Sequence, residues 1–260
     1  MSTTSLFPNA FSLAGQTALI TGASRGLGFA MAQAMAQAGA FVVLASRDQA
    51  ALDERAKAIT DAGGQALALA ADCANEREVI ELVQTVLARR GTLDIAVANA
   101  GIQHRTTITD FATDDYLRVV GVNQHGPWWL AREAARAMVP RGRGRIIFTG
   151  SMSAILGRAP ISAYTASKGA LHALTRCLAA DLGPKGITVN SIAPGYILTE
   201  MNTALSNDPA FDRRVKEGTP LGRWGDPADI GWSAVYLASA AGAFVNGHIL
   251  TVDGGFSVTM

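Results

Sequence analysis

The sequence predicts an α/β fold, a doubly wound parallel sheet in a single domain. Three observations carry that expectation. Short apolar runs alternate with helix-like stretches along the whole chain. The runs are apolar throughout, as strands buried on both faces are. A glycine-rich turn joins the first run to the first helix, and no low-complexity linker or internal repeat divides the 260 residues.

The elements follow in order. Thr17–Thr21 reads as the first strand and Gly26–Ala38 as the helix after it. The charge-free stretch Gly26–Ser46 has membrane-spanning length. It carries Gln33, Gln37 and Gly39, and its second half turns β-branched, so a helix, a glycine stop and a strand at Phe41–Ala45 explain it. Asp48 is placed to cap a helix over Gln49–Ala62. A strand at Ala66–Ala71 and a helix at Glu76–Arg90 come next. Leu93–Ala98, Arg145–Thr149, Ile187–Ile192 and His248–Val252 read as the remaining strands. Asp114–Val139, Ala163–Leu182 and Pro227–Ser239 read as the intervening helices. One segment breaks the rhythm. Between Pro194 and Pro227 the chain is polar and punctuated by Gly195, Gly218, Pro220, Gly222 and Gly225. We expect a substrate lid at about 196–226, because ligands of open α/β sheets bind beyond the strands' carboxyl ends; the alternative is a plain surface insertion.

Composition narrows the function. Lys plus Arg is 22 and Asp plus Glu is 21, which argues against a nucleic-acid partner. Hydrophobic residues make up 49%, too many for a disordered polymer. The 27 glycines follow no G-X-Y period, so collagen is excluded. Two cysteines, Cys73 and Cys177, cannot build a disulfide framework, and a reducing cytoplasmic setting is expected. Met1–Ala10 has neither the charge nor the apolar run of a secretory signal. No membrane partner is expected. The four histidines have no ligand-like spacing, so no metal site is expected either.

The first strand ends in Thr21-Gly22-Ala23-Ser24-Arg25-Gly26-Leu27-Gly28. Glycines let a backbone turn tightly and approach a pyrophosphate, which then meets helix N–H groups. Gly22, Ser24, Arg25, Gly26, Leu27 and Gly28 are therefore candidate dinucleotide contacts. The second strand is followed by Ser46 and Arg47, where an NAD site would place an acidic side chain. Arg47, with Arg25 near it, suits a 2′-phosphate, so NADP(H) is preferred and NAD(H) remains possible; the alternative for Arg47 is a solvated loop charge. Asp72, beside Cys73, is an adenine-side candidate or a helix cap.

Tyr164 and Lys168 lie four residues apart in a helical stretch and share a face. A lysine ammonium one turn away would lower the tyrosine pKa toward the range of acid–base work. Ser151, at the end of a strand, could hold a carbonyl oxygen. Asn123 could organise a water relay to Lys168.

Together with Asn99-Ala100-Gly101, Pro194-Gly195 and Thr199, these motifs resemble the classical short-chain dehydrogenases/reductases over essentially the whole chain. The resemblance implies a Rossmann-like fold and a catalytic tetrad of Asn123, Ser151, Tyr164 and Lys168. It implies that Asn99, Ala100 and Gly101 support the adenosine side. Pro194, Gly195, Ile197 and Thr199 would meet the nicotinamide end, and Tyr164 and Lys168 its ribose. It also implies hydride transfer between a ketone and a secondary alcohol, and a homotetramer packed through 114–139 and 163–182.

Other segments resemble the gluconate 5-dehydrogenase branch: Phe11–Gly15, Asn99–Gln103, Pro194–Met201, Thr219–Pro227 and Phe244–His248. A sugar acid such as 5-ketogluconate is then the expected substrate. Arg105, His104, Ser153 and Tyr196 are the candidate substrate contacts, with a surface charge as the alternative for either basic residue. The branch places Gln and Glu shortly after the serine, where this chain has Ser153 and Ile155. That departure leaves open a less polar ketone, as in a 3-oxoacyl-thioester reductase or a broad ketone reductase. A non-catalytic NADP-binding sensor is the reading from another class.

Overall fold

A computed structural model describes residues 9–259. Most of the N-terminal stretch read above for a signal lies outside the described residues. Seven strands form one parallel sheet: β1 (Thr17–Thr21), β2 (Phe41–Ser46), β3 (Gln65–Ala70), β4 (Ile95–Ala98), β5 (Gly144–Thr149), β6 (Ile187–Pro194) and β7 (Ile249–Val252). Their order is β3-β2-β1-β4-β5-β6-β7, so the winding reverses between β1 and β4. β1 pairs β4 through Ala18 with Ile95, Leu19 with Ala96 and Ile20 with Val97.

Each expected strand is present, with ends moved by one or two residues. The helices are α1 (Gly26–Gln37), α2 (Gln49–Asp61), α3 (Glu76–Arg90), α4 (Thr113–Val120), α5 (Gly126–Met138), α6 (Ser162–Leu182), α7 (Thr203–Ser206), α8 (Pro209–Gly218) and α9 (Pro227–Ala238). One side of the sheet is covered by α1 and α9, which pack closely on each other where Gly231 meets Ala30 and Ala34, with Met31, Met35, Ile230 and Ala234 in the shared core. The other is covered by α3, α5 and α6, with Val83, Leu130, Ala134 and Leu171 in the core. Alternation of side chains along each strand feeds both cores: Ile20 joins the first and Leu19 the second. Burial of apolar area on both faces is the main stabilising term of such a sheet.

The single helix expected over 114–139 is interrupted. A π-helical turn at Gly121–His125 separates α4 from α5. Gly126 marks the point of closest approach: a Cβ there would stand 2.4 Å from the Cys73 carbonyl oxygen. The wide turn carries Asn123, which is fully buried. π turns of this kind concentrate at functional sites. The polar excursion after β6 is also structured, through α7 and α8. Asp208 caps α8 by accepting from the Ala210 and Phe211 amides, and Pro209 opens it. Asp48 caps α2 by accepting from the Ala51 amide, as its position suggests. No helix among the described residues is long and apolar enough to cross a membrane.

Candidate active site

The reversal of strand order opens a crevice at the carboxyl edge of the sheet, where doubly wound folds bind ligands. The loops after β1, β2, β3, β4, β5 and β6 all reach it and line one cavity of about 1630 Å³.

The glycine loop is shaped by close approaches. Gly22 adopts φ +66° and sits against the next loop: a Cβ would be 2.8 Å from Ala100 Cα. Gly28 lets α1 press onto the loop, since a Cβ there would be 2.2 Å from the Gly22 carbonyl oxygen. Asn99 ties the two loops, its Nδ2 donating to the Thr21 carbonyl at 2.9 Å and to that of Gly22 at 3.3 Å. Its Oδ1 accepts from Thr149 Oγ1 at 3.2 Å. Gly28 itself therefore supports the cavity from behind and does not line it. Gly22, Ser24, Arg25, Gly26, Leu27, Ser46, Arg47, Asp72, Cys73, Asn99, Ala100 and Gly101 do line it.

These residues fit a dinucleotide phosphate. No side chain caps the N-terminus of α1, so its first amides face the cavity uncapped. Arg25 and Arg47 are exposed beside it, and neither has a carboxylate within ion-pair distance among the described residues. Arg55 adds a cation that the sequence reading missed. It reaches in from α2, donates to the Ser24 carbonyl at 3.2 Å and stacks 4.9 Å from the Phe29 ring. Asp72 does not cap α3. Its Oδ1 accepts from the Ala74 amide, while Asn75 is the cap. Burial pushes the Cys73 thiol up to about 12, so it remains a protonated wall residue.

At the other end, Ser151 follows β5, and Tyr164 and Lys168 face the cavity from α6. The Ser153 amide and hydroxyl both donate to Ser151 Oγ, at 3.1 and 2.9 Å. These two bonds orient Ser151 Oγ at the reacting end. Lys168 is buried, and its Nζ donates to the Thr149 carbonyl at 2.7 Å. Burial pulls its pKa down to about 8. Asn123 stands behind it rather than in the cavity wall. Its Nδ2 donates to the Ile102 carbonyl at 2.9 Å and its Oδ1 accepts from the Ile102 amide at 2.8 Å. A Cβ on Gly101 would lie 3.5 Å from both Asn123 Oδ1 and Lys168 Nζ, so both polar ends border that glycine.

The electrostatics of Tyr164 differ from the expectation. Burial pushes its phenol up. Hydrogen bonding to Ser151 and the positive charges of Arg158 and Arg105 oppose that rise. Lys168 Nζ, while donating to the Thr149 carbonyl, lies 5.7 Å from the Tyr164 ring centre.

Pro194, Gly195, Ile197 and Thr199 continue the wall from β6, joined by Tyr196. The backbone near Ile197 is fixed by a bridge to Gly225 and by Asn202, which donates to the Ile197 carbonyl. Ser153 and Arg105 line the substrate end. His104 does not: its Nε2 lies 3.6 Å from Asp115 and its ring packs on Phe111. Ile155 is 56% exposed and does not line the cavity. The sequence reading missed Arg158, Arg214, Phe211 and Phe256, which complete this end. Their signal was absent from local spacing, because they come from three separate segments.

Comparison with known proteins agrees with this geometry. Residues 22–257 match the family described as enoyl-(acyl carrier protein) reductase. The chain is 39% identical to gluconate 5-dehydrogenase of Gluconobacter oxydans over 97% of its length and 99% of that protein's. The chain belongs to the short-chain dehydrogenase/reductase family. It is also 40% identical to galactitol 2-dehydrogenase (L-tagatose-forming) of Cereibacter sphaeroides, over 95% and 97% of the two chains. Among solved structures, gluconate 5-dehydrogenase of Burkholderia cenocepacia in complex with NADP and tartrate superposes with a TM-score of 0.94, at 40% identity over 98% and 100% of the chains.

Proposed function

We propose that this chain is an NADP(H)-dependent oxidoreductase that interconverts a ketone and a secondary alcohol on a sugar acid of the 5-ketogluconate/gluconate type. The observation that carries the reading is one cavity that joins three features. They are arginines without ion-pair partners among the described residues at the adenosine end, Ser151, Tyr164 and Lys168 at the reacting end, and further such arginines beyond them.

When bound, the nicotinamide cofactor supplies the hydride. Arg25 and Arg47 would hold the 2′-phosphate, and the uncapped amides of α1 the pyrophosphate. Ser151 donates to the substrate oxygen, oriented by the two hydrogen bonds from Ser153. Tyr164 gives its proton to that oxygen in reduction and removes it in oxidation. Lys168 is fixed over the Thr149 carbonyl and holds the ribose. Asn123 organises the Ile102 backbone and the route by which Lys168 exchanges protons. The excursion at 196–226 serves as the substrate lid, supported by its hold on Tyr196 and Ile197.

The sugar-acid reading draws on the relatives' activities and on Arg105 at the pocket mouth. Exposed Tyr116, Leu117, Trp128 and Val139 near α4 and α5, with Phe244 and Val258, support a homotetramer. A cytoplasmic setting fits the two free cysteines. The test is cofactor oxidation with NADPH and NADH against 5-ketogluconate, an acetoacetyl thioester and aryl ketones. The reading expects NADPH with 5-ketogluconate to lead; a dominant thioester activity would refute it.

A further inference from the structure

We propose that Arg158 is a specificity-determining residue that grips the carboxylate of the substrate together with Arg105 and selects sugar acids over neutral ketoses of the same skeleton. The inference rests on the sugar-acid reading above and adds a residue to it.

Arg158 lies in the segment between Ser151 and Tyr164 and lines the cavity at its reacting end. It is half-buried. Its guanidinium carbon sits 5.2 Å from the Tyr196 ring centre and 5.1 Å from that of Phe211. Those rings are themselves fixed. Tyr196 meets Trp224 at 5.6 Å and Phe256 at 5.0 Å, both edge to face. The Trp224 Nε1 donates to Asp212 at 2.8 Å. Arg158 is thus positioned between two aromatic rings that cannot accept its N–H groups as a carboxylate would, and a guanidinium held there offers a fork of donors that matches a carboxylate.

The surrounding charges leave that fork unanswered. Among the described residues Arg158 has no carboxylate within ion-pair distance. Asp212, the acid of the aromatic cluster, is engaged by Lys216 at 2.7 Å and by Trp224. Glu200 lines the same cavity but stands at the glycine loop, with Oε2 3.4 Å from the Cβ position of Gly26. Arg105 is close enough that its charge and that of Arg158 repel, and both act on Tyr164. Two like charges gathered beside a reacting hydroxyl are unfavourable unless an anion joins them. A carboxylate a few bonds from the reacting carbonyl of a small ketone supplies that anion. A thioester substrate would not.

Arg158→Met and Arg158→Lys test this, each against 5-ketogluconate and L-sorbose, the neutral ketose with hydroxymethyl in place of the carboxylate. For Arg158→Met, the preference in kcat/KM for acid over sorbose should fall roughly tenfold to hundredfold, the size of a lost charge-assisted hydrogen bond. The fall should lie mainly in KM. Arg158→Lys should recover part of the preference, since the charge returns without the fork. An equal loss on both ketones would mean that Arg158 only latches Tyr196 and Phe211, and the proposal fails. A wild-type preference for the acid that survives Arg158→Met overturns the role of Arg158 alone. A wild-type enzyme with no such preference overturns the sugar-acid reading and this inference together.

Discussion

Replacing Lys168 with methionine should stabilise the cofactor-free protein at pH 7 while abolishing turnover. Lys168 is 3% exposed, and its ammonium has one protein partner given by the geometry, the Thr149 carbonyl at 2.7 Å. Burial moves its pKa from 10.5 to about 8. At about 1.4 kcal/mol per pH unit, that displacement opposes folding by about 3 kcal/mol. The sign follows from proton uptake. Below pH 8 the lysine is charged in both states and the penalty is fully present. Between 8 and 10.5 the unfolded chain holds a proton that the folded protein has released, so wild-type stability rises with pH through that window. Methionine keeps the alkyl packing, removes the charge and leaves the Thr149 carbonyl short of one bond, at about 1 kcal/mol. The variant should therefore gain about 2 kcal/mol at pH 7, or about 4–8 °C in Tm for a chain of this size. The gain should vanish by about pH 10. Calorimetric unfolding of both proteins from pH 7 to 10 measures the difference directly. A variant that is less stable at pH 7, with a gap independent of pH, would refute the reasoning.

The remaining predictions address the reaction, the cofactor and acid stability. Tyr164→Phe should lower kcat by roughly 10²- to 10⁴-fold while NADPH still quenches or enhances fluorescence at wild-type concentrations, because the lost group is the proton donor. Arg47→Glu should lower kcat/KM for NADPH about tenfold to hundredfold and narrow or reverse the preference over NADH, read from parallel titrations of the two cofactors. His172 is buried, its Nε2 has no partner, and burial, followed by the charges of Arg176 and Lys168, pulls it down to about 4. Below pH 6.5 the unfolded chain takes a proton that the folded protein refuses, so stability should fall by about 3 kcal/mol as pH drops toward 4. His172→Leu should flatten that limb in urea midpoints at pH 4.5 and 7, and an unchanged slope would exclude His172 as its source.

Much of the fold was legible because its signals are local. A strand buried on both faces is a contiguous apolar run, so β1 and β6 announce themselves in sequence. Asp48 and the glycine loop carry meaning through immediate neighbours. The π turn at Gly121–His125 was not legible, since its cause is tertiary: the hydrogen bonds between Asn123 and the Ile102 backbone. Helical spacing places Lys168 one turn from Tyr164, and its Nζ does lie 5.7 Å from that ring, but spacing cannot say that the ammonium also donates to the Thr149 carbonyl. His104 and Arg105 are adjacent in sequence, yet backbone geometry sends one to Asp115 and the other to the cavity. Arg158 acquires meaning only through rings at Tyr196 and Phe211, far along the chain.

Net charge hid the most informative property of this molecule. Lysines and arginines almost equal aspartates and glutamates in number, which suggests a neutral object. The pairing of those charges is nevertheless uneven. Many acids are engaged in surface or rim pairs such as Lys57–Asp61, Arg77–Glu81, Arg132–Glu76 and Arg223–Asp229. Such exposed pairs contribute little stability each. Their consequence is that Arg25, Arg47, Arg105, Arg158 and Arg214 remain without ion-pair partners among the described residues, and all five line one cavity. Arg25 and Arg47 stand at the dinucleotide end, and Arg105 and Arg158 flank Tyr164. A neutral ketone would leave Arg105 and Arg158 unanswered. A cofactor with a 2′-phosphate and a substrate with a carboxylate answer both pairs, which is why cofactor choice and acid preference should be separable by mutation at opposite ends of the same crevice.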